Sequence, residues 1–206
     1  MALPVDSPQK LTDRKRAAVL EAALSAFQDK GFGNVSMDKI ASLASVSKRT
    51  VYSHFESKDA LFEAMIQEMV ERADVLPELP YQQGTSIKKQ LRAIGLQICN
   101  SVSDPSFQSL ARVVMGRAIN EPKFAEVLQA ATSELDDKLT NWLKEAKADK
   151  QLKTKSPALA AEFFLGLLLS HSFWPHLLHF KKRMHEQPTR TYVNQCVDIF
   201  LASHGN

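Results

Sequence analysis

Three short helices are predicted in succession in the stretch SMDKIASLASVSKRTVYSHFESKDALF, which runs from Ser36 to Phe62. Each helix opens at a serine that can cap it, Ser36, Ser47 or Ser57, and only tight turns fit between the helices. A helix of two turns is not stable in isolation, so these helices must be held by packing on their neighbours. The stretch therefore predicts a compact N-terminal helical domain.

The middle helix divides its side chains into an inward apolar pair and an outward polar set. Val51 and Phe55, four residues apart, are expected to face inward. The remaining side chains face outward or lie on the flanks, and they are cationic, hydroxyl or aromatic: Lys48, Arg49, Thr50, Tyr52, Ser53 and His54. Such groups at the start of the second of two short helices suit a helix-turn-helix that enters the major groove. Ser57 caps the following helix, so Lys58 and the free amides there predict a phosphate clamp.

The positive charge of the chain is concentrated in the N-terminal part that contains these short helices. Residues 1–58 hold nine Lys and Arg against six Asp and Glu, which accounts for the whole net charge of +3. This excess favours a polyanionic partner for the N-terminal part. The alternative interpretation is a capped surface turn whose basic residues are solvated, because such spacings recur by chance.

The rest of the chain also predicts helices, and the fold class is all-α. Glycine is sparse, at seven of 206 residues, and period-two alternation is hard to find. Residues 1–10 are expected to form a tail. About nine helices follow: one from about Thr12 to Lys30, the two short ones, one from Lys58 toward Ala73, and five beyond residues 76–84 that open near Ser86, Pro105, Pro122, Pro157 and Tyr192.

The stretch from about Arg14 to Phe62 resembles the DNA-binding region of the TetR/AcrR family of one-component transcriptional regulators. The matching residues include Phe27, Lys30 to Phe32, Ile40 and Ala41, Ala44, Val46 and Ser47, Val51 and Tyr52, His54 and Phe55, and Ser57 and Lys58. The resemblance implies that Tyr52 and Lys58 grip phosphates, and that Lys48, Arg49, Thr50 and Ser53 read bases. Ser36, Ser47 and His54 complete the predicted DNA-binding set.

One residue of the turn departs from the family pattern. Ser45 stands where the family often has glycine. If this residue has φ > 0, the serine costs on the order of 1 kcal/mol. The fold is expected to tolerate this cost.

The C-terminal half is predicted to bind a ligand and to dimerise. Residues 110–139 loosely resemble the C-terminal domain of AefR-like members. The predicted domains are a helix-turn-helix domain, 11–57, and a ligand-binding and dimerisation domain, 58–206. The apolar stretch from Ala158 to Phe180 is interrupted by Glu162 and Pro175, so it predicts a buried helix rather than a membrane span. It is apolar on nearly all sides, so one face needs cover by self-association. The resemblance implies a four-helix interface from residues 157–180 and 191–203 of two subunits.

Five residues of this half are candidates for an effector pocket, because they place polar or aromatic groups on or beside apolar helical faces. They are Arg112, Arg117, Trp142, His171 and Trp174. Satisfied core or interface residues are the alternative interpretation. His171, His176 and His179 have a poor same-face spacing, so no metal site is predicted, and Cys99 and Cys196 are expected to be buried thiols. No cofactor or catalytic motif is visible, which argues against an enzyme.

The sequence thus predicts a ligand-responsive regulator, expected to be a repressor, that binds a palindromic operator on double-stranded DNA as a homodimer. A small apolar or amphipathic effector is expected to release it by tilting the helix from Lys58 to Ala73. The opening MALPVDSPQK lacks the apolar run of a signal peptide, which favours the cytoplasm without a membrane partner. A helical small-molecule-binding protein without operator recognition is the alternative, and an all-α enzyme is a third hypothesis that lacks a site.

Overall fold

The computed structural model describes residues 8–74, 79–179 and 188–206, with side chains from Leu11 onward. These ranges contain ten α-helices, and a short 3-10 turn, Phe32–Asn34, follows the first. The helices are α1 (Pro8–Lys30), α2 (Met37–Leu43), α3 (Lys48–His54), α4 (Lys58–Ala73), α5 (Ile87–Ser103), α6 (Pro105–Asn120), α7 (Pro122–Ala148), α8 (Pro157–Ser172), α9 (Trp174–Leu177) and α10 (Thr189–His204). The all-α prediction is confirmed. All nine predicted helices are present, and α9 is a single additional turn after α8.

The ends of two helices differ from the prediction. Helix α1 begins at Pro8 rather than near Thr12, because proline lacks only an amide that the first turn leaves unpaired. The expected tail is therefore wrong for residues 8–10, whereas residues 1–7 lie outside the described part. Helix α10 extends beyond the predicted Tyr192–Leu201 at both ends. Of the predicted proline-rich boundary, residues 76–78 lie outside the described part.

The chain forms two compact units whose borders do not follow chain order. The first unit comprises the chain up to Gln67 together with Val113–Ala125, and the second comprises Glu68–Arg112 and Glu126–Asn206. Helices α4, α6 and α7 therefore contribute residues to both units. The predicted domain limits at residues 57 and 58 stay a prediction.

The core of the first unit is built from fully buried apolar side chains on successive helices. Val19 and Ala23 of α1, Ile40 of α2, Val51 of α3 and Phe62 of α4 are all 0% exposed. Full burial of each of the larger side chains contributes about 1.5–3 kcal/mol. This packing explains how α2 and α3, seven residues each, remain helical.

Local hydrogen bonds place the helix starts where the sequence predicts them. Ser36, Ser47 and Ser57 accept from the amides three residues ahead, at 3.2, 3.1 and 3.0 Å. Asp104 and Ser156 cap α6 and α8 in the same way. Ser86 precedes α5 but makes no side-chain capping bond, so that predicted cap is wrong.

Helices α5, α8 and α10 pack closely in the second unit. Gly95 of α5 permits the approach, because a Cβ atom there would lie 2.8 Å from Val193 Cγ1 and 3.4 Å from Leu168 Cδ2. Cys99 and Cys196, on α5 and α10, are free and buried, which confirms their prediction as buried thiols.

Helix α8 buries one side only. Ala160, Phe164 and Leu168 are 0% exposed, whereas Leu159 and Phe163 are 47% and 53% exposed. Helix α8 therefore packs with one face in the core and leaves the other uncovered, as the sequence predicted. Within the described ranges, Pro157–Leu177 alone has the length and apolar composition of a membrane span, which is a weak signal that core helices share.

Candidate nucleic-acid interface

The turn between α2 and α3 sets the direction of α3. Ser45 has φ 55°, in the left-handed region, which is the conformation expected where the family often has glycine. The amide of Ser45 donates to Ser42 O, and that of Val46 donates to Ala41 O, at 3.3 and 3.1 Å. The chain therefore leaves α2 through a tight, hydrogen-bonded turn and starts α3 at the Ser47 cap.

Helix α3 presents its polar side chains outward, as its sequence predicts. Val51 and Phe55 are buried, at 0% and 4% exposure. The outward set consists of exposed and half-buried residues: Lys48, Arg49, Tyr52 and Ser53 are exposed, and Thr50 and His54 are half-buried. A helix with this division offers charged and hydroxyl groups on the face turned away from its own core.

The hydroxyl groups of this face are already oriented by local bonds. Thr50 Oγ1 lies 2.8 Å from Ser47 Oγ, and Ser53 Oγ donates to Thr50 O at 2.8 Å. Each hydroxyl retains acceptor capacity for an amino group. Ser36 and Ser47 are exposed, but their Oγ atoms serve first as helix caps.

The two cations at the start of α3 have different surroundings. Lys48 Nζ lies 2.8 Å from Asp38 Oδ1 and 5.9 Å from the centroid of the Tyr52 ring. The hydrogen bond to Asp38 and its charge raise the pKa of Lys48 above its ordinary value. Arg49 is exposed and has no bonded partner among the described residues. The pairing of Lys48 with Asp38, ten residues apart in the sequence, was not predicted from it.

Lys58 is less available than the sequence prediction assumes. Its ammonium donates to the carbonyl oxygens of Phe32 and Val35, at 2.8 and 2.9 Å, and lies 4.2 Å from the centroid of the Phe32 ring. Two of its three N–H donors are thus engaged, and one is left for a phosphate. In the structure, Lys58 first ties the start of α4 to the chain segment between α1 and α2.

Arg117 was predicted to belong to an effector pocket, and this role stays a prediction, since its described contacts lie within the first unit. It lies in the first unit, where its side chain is 7% exposed and donates to Asp59 Oδ1 and Glu121 Oε1, both at 2.8 Å. Its guanidinium carbon lies 3.2 Å from the ring centroid of Phe32 and 3.7 Å from that of Phe124. These contacts leave Arg117 bound within the unit that carries α3.

The pKa values of both carboxylates follow from these contacts. Hydrogen bonds from Lys123 and Arg117 hold the pKa of Asp59 below its ordinary value. The hydrogen bond from Arg117 lowers the pKa of Glu121. Both carboxylates therefore stay ionised at neutral pH.

The other effector candidates lie in the second unit but are distributed over separate contacts. Trp142 is 4% exposed and packs edge-on against Tyr81, with ring centroids 5.2 Å apart. His171 stacks on Tyr192 at 4.2 Å, and burial, together with His176, lowers its pKa.

Two further candidates lie near α9. Trp174 is 44% exposed, and Arg112 Nη1 lies 3.5 Å from His176 O. No group of three metal-binding side chains is present in the described residues.

Two family profiles match complementary parts of the chain. Residues 19–65 match bacterial regulatory proteins of the tetR family, and residues 89–206 match the C-terminal domain of AefR-like transcriptional repressors. The chain belongs to the TetR family. Both resemblances expected from the sequence are confirmed, so this TetR-family protein is a transcriptional regulator by family.

Individual relatives agree with this assignment. A TetR-family regulator from Pseudomonas syringae pv. tomato DC3000 has a solved structure that is 36% identical, covers 94% of this chain and 98% of its own, and superimposes with a TM-score of 0.78. The structure of the flavonoid-responsive regulator FrrA is 25% identical, with coverage of 94% and 98% and a TM-score of 0.73.

A curated relative matches less of its own length. The transcriptional activator FasR of Mycolicibacterium smegmatis is 30% identical over 61% of this chain. The match spans 57% of FasR, so the chain covers only about half of this relative.

Proposed function

We propose that this TetR-family regulator is a cytoplasmic, sequence-specific DNA-binding repressor that acts as a homodimer and is released by a small apolar or amphipathic effector. The observation that carries the proposal is α3, a short helix anchored by Val51 and Phe55 that turns a row of cationic and hydroxyl side chains outward. A helix of this kind, supported by α2, suits the major groove. Family membership supports a regulatory rather than an enzymatic role.

The outward residues of α3 divide by chemistry into two roles. Arg49 and Lys48 can donate to guanine acceptors, and Thr50 and Ser53 can bond base edges of either kind. Tyr52 and the remaining N–H of Lys58 suit phosphate oxygens. Ser36, Ser47 and His54 complete the proposed DNA-binding set. Phosphate contacts fix the position of the protein, and base contacts give specificity.

The repressor assignment rests on the family of the C-terminal half. That half matches AefR-like transcriptional repressors, whereas the relative FasR is named an activator. A reporter gene placed behind a bound operator distinguishes the two roles. Deletion of the regulator should raise expression from the reporter, and a fall in expression would identify an activator instead.

The uncovered face of α8 supports the homodimer. Leu159 and Phe163 of α8 and Ile199 of α10 are 47%, 53% and 57% exposed, and α8 and α10 pack against each other. Exposed apolar side chains that form a patch are typical of an association surface. A second copy of the chain is the occupant that the proposal requires, since two identical reading helices then face a near-palindromic operator.

Phe163→Glu is the sharpest test of this interface. It places a charge on the exposed face and should yield monomers in sedimentation at micromolar concentration. Leu168 of the same helix is 0% exposed, so it is unsuitable for this test. A Phe163→Glu chain that sediments as a dimer would contradict the proposed interface.

The effector class is inferred from a relative of known response. FrrA is named a flavonoid-responsive regulator, and flavonoids are amphipathic aromatic molecules. Helices α4, α6 and α7 contribute residues to both units, so the chain offers continuous routes for coupling. A coupling free energy of about 1–3 kcal/mol is typical, and operator DNA should weaken effector binding by the same factor.

The central experiment selects bound sites from random duplex DNA and then measures affinity across a range of salt concentrations. A near-palindromic site, with affinity that falls steeply as salt rises, is expected because phosphate contacts release counterions. Arg49→Ala should change the preferred base, whereas Tyr52→Phe should weaken all sequences alike. Equal affinity for selected and random duplexes would overturn DNA recognition and leave a small-molecule-binding protein.

A further inference from the structure

A carboxylate lies beside the first residue of the proposed reading helix. Asp38, in the first turn of α2, is 2.8 Å and 3.0 Å from Lys48 Nζ through its two oxygens. Lys48 begins α3, so the ion pair spans the turn between the two helices. The two side chains are 62% and 61% exposed. A negative charge therefore stands among the outward groups that the proposed function assigns to DNA.

Stability of the fold does not explain this pair. An ion pair with both side chains this exposed contributes little to folding. Asp38 is also favourable in the first turn of α2, where the helix dipole accepts a negative charge without any help from Lys48. The contact to Lys48 is therefore dispensable for the structure and free to serve binding.

We infer that Asp38 is a specificity-determining residue for DNA: its carboxylate holds the Lys48 ammonium and disfavours complexes in which that ammonium would only neutralise a phosphate. The inference rests on the proposed DNA-binding function. Random duplexes are bound almost entirely through phosphates, and there the carboxylate both occupies the lysine and adds repulsion.

On the operator, Asp38 is expected to weaken binding less than it does on random DNA. An ammonium has three donors, so Lys48 can keep Asp38 as a partner and still donate to a guanine acceptor. The carboxylate can itself accept from the amino group of a cytosine. The pair thus weakens the wrong complexes more than the right one, which is how repulsive elements give specificity.

The decisive experiment compares Asp38→Asn with the full-length wild-type chain on the selected operator and on a random duplex of equal length. Asp38→Asn should raise affinity for the random duplex by roughly 3- to 10-fold and steepen its salt dependence by about one counterion, since Lys48 becomes free for a phosphate. Operator affinity should change by less than about threefold, so the specificity ratio falls.

A matched control separates this effect from general electrostatics. Asp29→Asn, at an exposed position of α1, removes the same charge away from Lys48 and should leave the ratio unchanged. In a chain that carries Lys48→Met, adding Asp38→Asn should no longer steepen the salt dependence on the random duplex. Circular dichroism confirms that each variant is folded.

Three results would overturn the inference. The first is an equal change in affinity on both duplexes, and the second is an equal change in the Asp29→Asn control. The third is a random-duplex affinity that Asp38→Asn leaves unaltered. A wild-type chain that fails to prefer any operator would instead overturn the proposed function itself, so the two failures are distinguishable.

Discussion

Replacement of Arg117 by methionine should destabilise the first unit measurably. The side chain is 7% exposed, and its guanidinium carbon lies 3.2, 3.7 and 4.6 Å from the ring centroids of Phe32, Phe124 and Phe62. A guanidinium over an aromatic face contributes about 0.5–1 kcal/mol when exposed and about 2 kcal/mol when desolvated. Its Nη1 atom is buried without a hydrogen-bond partner, so the rings must compensate for its lost hydration.

The expected loss is about 2 kcal/mol, most of it from the rings. The carboxylates of Asp59 and Glu121 are 44% and 42% exposed, so water screens both ion pairs and can resolvate them after the substitution. Methionine retains the length and apolar packing of the side chain but not its charge. For a chain of this size, a loss of 2 kcal/mol corresponds to a fall in Tm of about 4–8 °C.

Urea unfolding followed by circular dichroism gives the free energy of unfolding. Hydrogen exchange then shows which of the two units is destabilised. Exchange should accelerate in peptides from α1 to α3. Lys123→Met is the matched control, because Lys123 pairs with the same Asp59 but is 58% exposed, so its loss should cost less than about 1 kcal/mol. The reasoning is refuted if Arg117→Met is as stable as the wild type, which would mean that burying the guanidinium costs as much as its contacts return.

The same cluster predicts a pH dependence of stability. The pKa of Asp59 is lowered in the folded state, first by the hydrogen bond from Lys123 and then by that from Arg117. A carboxylate with a lowered folded pKa contributes stability above its unfolded pKa, about 3.9, and loses it as pH falls through the folded pKa. Arg117→Met should therefore flatten the stability profile of the chain below about pH 4.

Four further substitutions test local features of the fold. Ser45→Gly should raise the free energy of unfolding by about 1 kcal/mol, because glycine adopts φ 55° without strain. The control Ser42→Gly, within α2, should lower it by about 1 kcal/mol, and thermal melts of both variants measure the two changes. Ser47→Ala removes the acceptor of the Thr50 amide and should cost about 1 kcal/mol in urea unfolding. Burial lowers the pKa of His171, so the stability of the wild-type chain should decline as pH falls below about 6.5. His171→Gln should reduce that decline. A pH profile that His171→Gln leaves unchanged would contradict this role of His171.

Features encoded within one turn of helix were predictable from the sequence. The caps at Ser36, Ser47 and Ser57 and the inward positions of Val51 and Phe55 depend on residues three or four apart, which the linear order displays directly. The sequence raised a positive φ at Ser45 only as a condition, because the family often has glycine there, and the structure gives this residue φ 55°. Helix order, the all-α class and the family resemblance follow from the same local patterns.

The partners of the charged residues were decided only by the tertiary structure. Arg117 donates to Asp59, which is 58 residues away in the sequence, and Lys58 donates to the carbonyl of Phe32, which is 26 residues away. Such contacts depend on which helices cross and at what distance, and many charged residues offer the same chemistry in the linear sequence. The burial of a guanidinium among aromatic rings, and the carboxylate that holds Lys48, therefore appear only once packing has fixed the position of each helix.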